Sequence, residues 1–293
     1  MAGTIGFVGL GAMGSAMARR LVEAQHRVVG YDIRAESVAK FVAAGGHGAA
    51  SAAEAAAGAD MLVLMVVNAD QAEAVLFAGK ALDALAPKAS VVLMATCAPA
   101  RVASIAKRVE ETGRSFIDAP VSGGVVGAEA GTLTIMTAAK SDVFAAARPV
   151  LATMGSNLYH LGEEAGQGAA MKVVNQLLCG VNITAAAEAL ALAERAGIDP
   201  KLALEILSGS AASSWMLKNR GPRMVEDTDV VTSAVDIFVK DLGLVLDAGH
   251  SAKMGLPLAA LCHQLYLAAS GMGLGAKDDS QVIATYRALK RKD

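Results

Sequence analysis

The stretch Thr4-Ile-Gly-Phe-Val8, followed at once by Gly9-Leu-Gly11-Ala-Met-Gly14 and a helix-compatible run from Ser15 to Gln25, constrains this chain more than any other. An apolar strand, a glycine turn and a helix in direct succession open a parallel α/β sheet. In such a turn the first glycine makes the tight bend, the second lets a pyrophosphate reach the backbone, and the third packs helix on strand. The helix N-terminus then receives the phosphate charge. With 30 glycines in the chain a chance G-x-G-x-x-G is easy, so the weight lies in the context. A second strand, Arg27-Val-Val-Gly-Tyr31, ends at Asp32. That is about 20 residues beyond Gly9, where a carboxylate accepts hydrogen bonds from an adenosine ribose. Asp32 favours NAD over NADP, whose 2′-phosphate would meet its negative charge, and Arg34 softens that preference.

Further strand ends follow the same logic. Met61-Leu-Val-Leu-Met-Val-Val67 leads into Asn68-Ala-Asp70-Gln71, and Ser90-Val-Val-Leu-Met94 leads into Ala95-Thr96-Cys97. Unbroken apolar runs suit strands buried on both faces of a parallel sheet. Asn68, Asp70, Gln71 and Thr96 serve equally as helix caps, and for Asp70 and Gln71 capping or solvent contact is the preferred reading. Ser115-Phe-Ile-Asp118 runs into Ala119-Pro120-Val121-Ser122-Gly123-Gly124. This small-residue turn exposes backbone N–H groups beside a hydroxyl, which makes either a carboxylate cradle or a plain loop. Strands at Thr132 to Thr137 and Asn157 to His160, with a helix from Asp142 to Met154 between them, complete a first domain over residues 1–164.

From Gly166 to Glu194 the pattern is one long helix, roughly 40 Å at 1.5 Å per residue. Lys172, Asn175, Gln176, Cys179 and Asn182 share one side, and Met171, Val174, Leu177, Leu178, Val181 and Ala185 fill the opposite one. Such a polar stripe reads as a solvated face or, at a junction between domains, as a face turned to a ligand cleft. Gly197-Ile-Asp199-Pro200 is a helix stop followed by an N-cap and a proline at the first helical position. Helices are expected from Lys201 to Leu207, Ser213 to Asn219, Ala234 to Lys253, Pro257 to Ser270 and Asp278 to Lys290. The second domain, residues 165–293, is therefore all-helical, with more apolar helix than it needs internally, which implies pairing with another copy.

Composition removes whole classes. With 293 residues, 54% apolar and 18% charged, the chain buries one large core or two moderate ones and is not disordered. A net charge of −2, with no basic run beyond Lys290-Arg291-Lys292, gives nucleic acid no electrostatic support. The first residues enter a strand without a basic, cleavable leader, so no export is expected. The longest apolar helix is broken by Lys172, Asn175, Gln176, Asn182 and Glu188, so no membrane is expected. Cys97, Cys179 and Cys262 are far apart and suit a reducing cytoplasm, and the scattered histidines form no metal pattern.

Four blocks together resemble the β-hydroxyacid dehydrogenase family, whose members include 3-hydroxyisobutyrate and tartronate-semialdehyde enzymes. They are Gly6-Phe-Val-Gly-Leu-Gly-Ala-Met-Gly14, Asp118-Ala-Pro-Val-Ser-Gly-Gly124, Gly166-Gln-Gly168 with Lys172 and Asn175, and Phe238-Val-Lys240-Asp241. The resemblance implies a Rossmann-type dinucleotide-binding domain followed by an all-α domain, joined by the long helix. It implies Lys172 as the catalytic acid/base, Asn175 as a substrate-positioning residue, and Ser122, Gly123 and Gly124 as the holders of the substrate carboxylate. Gly9, Gly11, Met13, Gly14, Asp32, Val67 and Thr96 would contact NAD, Lys240 would close over the cofactor from the second domain, and Asp241 would anchor its helix. The partner is a small hydroxy-acid substrate, and a homodimer or homotetramer is expected.

Within the family the chain is most similar to the branch acting on L-threonate, through Asn175 to Ile183, Ser214-Trp-Met216 with Asn219-Arg220, and Ser233 to Gly243. That implies oxidation of L-threonate to a 2-oxo-tetronate, with 3-hydroxyisobutyrate oxidation or tartronate-semialdehyde reduction as the alternatives. His250-Ser-Ala-Lys253-Met departs from the branch and has no implied role. Imine reductases share the architecture but usually lack the lysine, and a non-catalytic nucleotide sensor would have lost it. A free lysine titrates near 10.4, so for work as a base Lys172 needs burial beside another cation, the part expected of Lys240. Trp215 could wall the pocket, although a place in the core is the preferred reading.

Overall fold

The computed structural model describes residues 3–226 and 230–288, so the Lys290-Arg291-Lys292 tail lies outside the described residues. The chain divides into two compact units, Met1–Lys172 and Val173–Asp293.

The first unit opens with β1 (Thr4–Val8), α1 (Ala12–Glu23), β2 (Arg27–Tyr31), α2 (Ala35–Ala43), β3 (His47–Gly48) and α3 (Ala52–Ala56). It continues with β4 (Met61–Leu64), α4 (Ala69–Glu73), α5 (Ala81–Ala84), β5 (Ser90–Leu93), α6 (Pro99–Glu110), β6 (Ser115–Asp118) and β7 (Val121–Ser122). Last come α7 (Gly124–Ala130), β8 (Thr134–Ala138), α8 (Ser141–Met154) and β9 (Asn157–Gly162). The sheet order is β3-β2-β1-β4-β5-β6-β8-β7, with β9 on β8. β3 to β6 are parallel, whereas β8 runs against β6 and β7. This is the doubly wound order in which helices cover both faces.

Alternation along the strands builds the two cores. Leu62, Leu64, Val91 and Leu93 face one side with Ile105 and Leu76. Ile5, Phe7, Val63 and Val92 face the other with Met17, Leu21 and Leu151. Because both faces are covered, these strands carry no polar alternation, which is why they read as unbroken apolar runs. β4 and β5 stop at Leu64 and Leu93, short of the expected Val67 and Met94, although one further rung joins Met65 N–H to Val8 O and Met94 N–H to Leu64 O. Beyond those rungs the chain leaves the sheet at its carboxyl edge.

Helix α9 (Gln167–Arg195) runs through the border between the units, which falls after Lys172 because its first turn is bonded to the sheet domain. The second unit adds α10 (Pro200–Gly209), α11 (Trp215–Glu226), α12 (Val235–Ser251), α13 (Pro257–Ala269) and α14 (Ile283–Arg287). Its core gathers Ile183, Leu190, Phe238, Leu242, Val245 and Tyr266, with the Phe238 and Tyr266 rings stacked at 5.1 Å. Asp199 caps α10 by accepting the Lys201 N–H at 2.8 Å, with Pro200 at the first helical position.

The expected end of the next helix at Asn219 is overridden. α11 continues through Gly221 and Pro222 because Arg220 makes a two-pronged buried pair with Asp279 (2.8 and 2.8 Å) and Arg223 bonds Asp278 at 2.9 Å. Tertiary ion pairs on either side of the proline outweigh the missing N–H. The unplaced segment at His250 is a helix stop: Lys253 adopts φ 52°, its N–H reaches His250 O, and the Met254 N–H reaches Gly249 O. Those two bonds satisfy the last carbonyls of α12.

The polar stripe of α9 is not a solvated face. Lys172 and Gln176 are each 7% exposed, whereas Val174 and Leu178 on the opposite side are 54% and 57% exposed. By length and composition alone α9 could cross a membrane, yet half of its most apolar window is buried in the fold. Trp215 is 51% exposed, so the core reading of the tryptophan is wrong: it begins α11 on the outward side.

Candidate active site

Six parallel strands deliver their carboxyl ends to one edge of the sheet, and the sequence-selected residues of the first unit lie at or beyond that edge. Gly9 has φ +100°, and a Cβ on it would fall 2.3 Å from Met65 O; one on Gly14 would fall 1.9 Å from Gly9 O. Turn and helix can approach this closely only with glycine. At Gly11 an added Cβ would meet nothing nearer than the Arg34 guanidinium at 3.6 Å, so space opens in front of α1. No acidic side chain lies in the first turn of that helix and no side chain caps it. Its exposed N–H groups and dipole are thus available to an anion. Met13, the second residue of α1, packs its side chain on the core below.

Asp32 is held tightly: Oδ2 accepts the Leu10 N–H at 2.8 Å, and Oδ1 accepts the Arg34 N–H at 2.9 Å and Arg34 Nε at 3.2 Å. Burial pushes this carboxyl up, but the hydrogen bonds from Arg34 and Leu10 outweigh burial and hold it below its ordinary value. A groove of about 400 Å³ beside it is lined by Tyr31, Asp32, Ile33, Val38, Ala39 and Ala49. An anion-ready helix start, an ionised carboxylate one strand away and an apolar groove fit the pyrophosphate, ribose and adenine of NAD.

After β4, the Val67 N–H donates to Gln71 Oε1 and the Gln71 N–H to Asn68 Oδ1, both at 2.9 Å. Asn68 and Gln71 therefore form a helix cap, as read from the sequence, and Asp70 pairs with Arg101 at 2.7 Å. Val67 stands half exposed and Thr96 partly buried beyond β5.

Ser122 ends β7, paired with Thr134, and Gly123 (φ 131°) and Gly124 (φ 62°) turn the chain into α7. Lys172 lies buried in the second turn of α9. The start of the same helix is held by a residue to which the sequence reading gave no role. Asp118, 1% exposed at the end of β6, accepts the N–H groups of Gly166 and Ala169 on one oxygen, each at 2.9 Å. The Gly168 N–H bonds the same carboxylate, and burial outweighs these bonds and raises its pKa to about 6. The available signal was an acid closing an apolar strand, with no partner nearby in sequence.

In the second unit, Asn175 Nδ2 is turned along α9 toward Gln176 Oε1 (3.0 Å) and Cys179 Sγ (3.3 Å). Gln176 Nε2 donates to the buried carboxylate of Asp241, whose other oxygen lies 2.7 Å from Lys240 Nζ. Asp241 thus ties α12 to α9, and the charge of Lys240 already faces a carboxylate.

Residues 4–162 match the family model described as the NAD binding domain of 6-phosphogluconate dehydrogenase. Residues 166–286 match the one described as NAD-binding of NADP-dependent 3-hydroxyisobutyrate dehydrogenase. Fold and site together define an NAD-dependent oxidoreductase acting on CH–OH. The chain is 43% identical to an L-threonate dehydrogenase of Cupriavidus necator, covering 99% of this chain and 98% of that protein. A 3-hydroxyisobutyrate dehydrogenase of Pseudomonas aeruginosa is 35% identical over 89% of this chain and 90% of its own. The crystal structure of 3-hydroxyisobutyrate dehydrogenase from Salmonella typhimurium superimposes with a TM-score of 0.92 at 40% identity, covering 96% of this chain and 99% of that one. The chain belongs to the 3-hydroxyisobutyrate dehydrogenase-related family of β-hydroxyacid dehydrogenases.

Proposed function

We propose that the protein oxidises a short polyhydroxy acid, L-threonate, at C2, with Lys172 as the acid/base. The observation that carries the role of Lys172 is its burial on the second turn of a helix whose start is bonded to the carboxyl end of β6. In that setting a lysine serves proton transfer better than a surface ion pair does. NAD, when bound along Gly9, Gly11, Met13, Gly14, Asp32, Val67 and Thr96, supplies the hydride acceptor. Lys172 takes the hydroxyl proton during oxidation and returns one to the developing alkoxide in reduction. The Ser122 hydroxyl and the N–H groups of the Gly123-Gly124 turn hold the substrate carboxylate and aim the carbinol carbon. Asn175 hydrogen-bonds substrate, and Lys240 contributes charge to the cofactor.

The threonate reading rests on the similarity to L-threonate dehydrogenases of several organisms. The likeness to 3-hydroxyisobutyrate dehydrogenases supports a second reading, 3-hydroxyisobutyrate oxidation, through the same residues. Division at residues 164 and 165 into a cofactor domain and a substrate and dimerisation domain, a cytoplasmic location, and a homodimer or homotetramer complete the proposal.

The test is NADH formation with L-threonate, D-threonate, D-erythronate, 3-hydroxyisobutyrate and glycerate, each with wild type and Lys172→Ala. L-threonate should give the highest kcat/KM, and the variant should lose at least about 10³-fold in kcat while binding NAD as before. A preference for 3-hydroxyisobutyrate would overturn the substrate, and turnover by the variant would overturn the role of Lys172.

A further inference from the structure

We propose that Asp118 is a positioning residue for the reaction: its buried carboxylate locks the first turn of α9 to the sheet and so sets where Lys172 stands relative to the Ser122–Gly124 turn. The inference rests on the reading of Lys172 as acid/base.

Three features carry it. Gly166, Gly168 and Ala169 occupy the cap, second and third positions of α9, and a helix start leaves those N–H groups without partners of its own. Here one side chain from a distant strand takes all three. Next, Lys172 follows Gly168 and Ala169 by four and three residues, so it shares their face. Helical side chains lean back toward the N-terminus, so its stem lies over the turn that Asp118 holds. Lastly, the same strand end runs on into the substrate turn. Asp118 is paired with Ala138, Val121 with Ile135 and Ser122 with Thr134, and the Met136 N–H bonds Pro120 O. The start of α9 and the substrate turn are therefore both anchored at one strand end, the first through the carboxylate and the second through the backbone. The fit is close: a Cβ on Gly168 would fall 2.5 Å from Met136 O and 3.0 Å from Asp118 Cγ.

Fold maintenance alone does not need the charge. The raised pKa means that burial opposes the carboxylate more than its three amide bonds favour it. Asparagine removes that opposition while placing an NH₂ group where one N–H is now accepted. Asp118→Asn should therefore fold with a thermal midpoint within a few degrees of wild type, yet leave the first turn of α9 displaced.

The experiment compares kcat, KM and NAD affinity for wild type, Asp118→Asn, Gly168→Ala and Lys172→Ala, using the best substrate of the panel. Gly168→Ala pushes the turn off Met136 O and the Asp118 side chain while leaving the carboxylate chemically intact, so it serves should the asparagine variant fail to fold. The expected result is a fall of at least about tenfold in kcat for both positioning variants, with the NAD dissociation constant within threefold of wild type. Rates within twofold of wild type, or a loss of kcat that only tracks a loss of NAD affinity and thermal midpoint, would overturn the proposal. If Lys172→Ala is inactive while Asp118→Asn turns over normally, this inference alone falls. If Lys172→Ala turns over, the acid/base reading falls and takes this inference with it.

Discussion

Asp32 shows how much one carboxylate can organise. It joins the glycine turn, through the Leu10 N–H, to the end of β2, and it holds the Arg34 guanidinium against itself. Asp32→Ala should therefore act twice, loosening the phosphate turn and releasing a guanidinium toward the site of a 2′-phosphate. The expected outcome is a loss of at least about 30-fold in kcat/KM with NAD and a much smaller change with NADP, read by parallel steady-state kinetics. An unchanged ratio between the cofactors would refute the ribose role. Asp32 was legible in the sequence because its distance from Gly9 is set by one α/β repeat. Asp118 was not, because its partners lie about 50 residues on, and only the folded chain brings them to it.

At the scale of the element, α9 separates what a periodicity can and cannot say. The polar and apolar sides of the helix were read correctly, and of the two readings of the polar side the solvated face is the one overturned. Lys172 and Gln176 lie inside, and Gln176 meets the buried carboxylate of Asp241 there. The start of α9 also carries a pH signature. The Asp118 carboxyl titrates near 6 in the fold against 3.8 as the ordinary value, so the folded protein holds its proton more tightly than the unfolded chain. That contribution to stability is fully present below pH 3.8 and is lost as pH rises through about 6. It amounts to about 3 kcal/mol between those limits. Urea denaturation of wild type and Asp118→Asn at pH 4, 5, 6 and 7 should show wild type losing stability relative to the variant as pH rises. A constant difference would mean that Asp118 is not titrating there.

For the whole molecule, α9 carries an outward stripe of exposed apolar side chains, Met171, Val174, Leu178 and Leu192. Apolar rows of that length usually mark an interface, and a second copy is the occupant expected from the excess of apolar helix in the second unit. Leu178→Glu should reduce the assembly mass measured by light scattering, while an unchanged mass would place any interface elsewhere. The amino-acid sequence by itself determined the parallel sheet, the glycine turn, the run of helices after Asp199 and the family, because each rests on local patterns: strand length, turn chemistry and the spacing of capping residues. Tertiary structure alone decided that α11 passes through Pro222, that Trp215 faces outward, that α9 buries its polar side, and that Asp118 holds the helix bearing Lys172. Those outcomes depend on partners far away in the chain. Burial and pairing are settled by what surrounds a residue in space, which local periodicity does not encode.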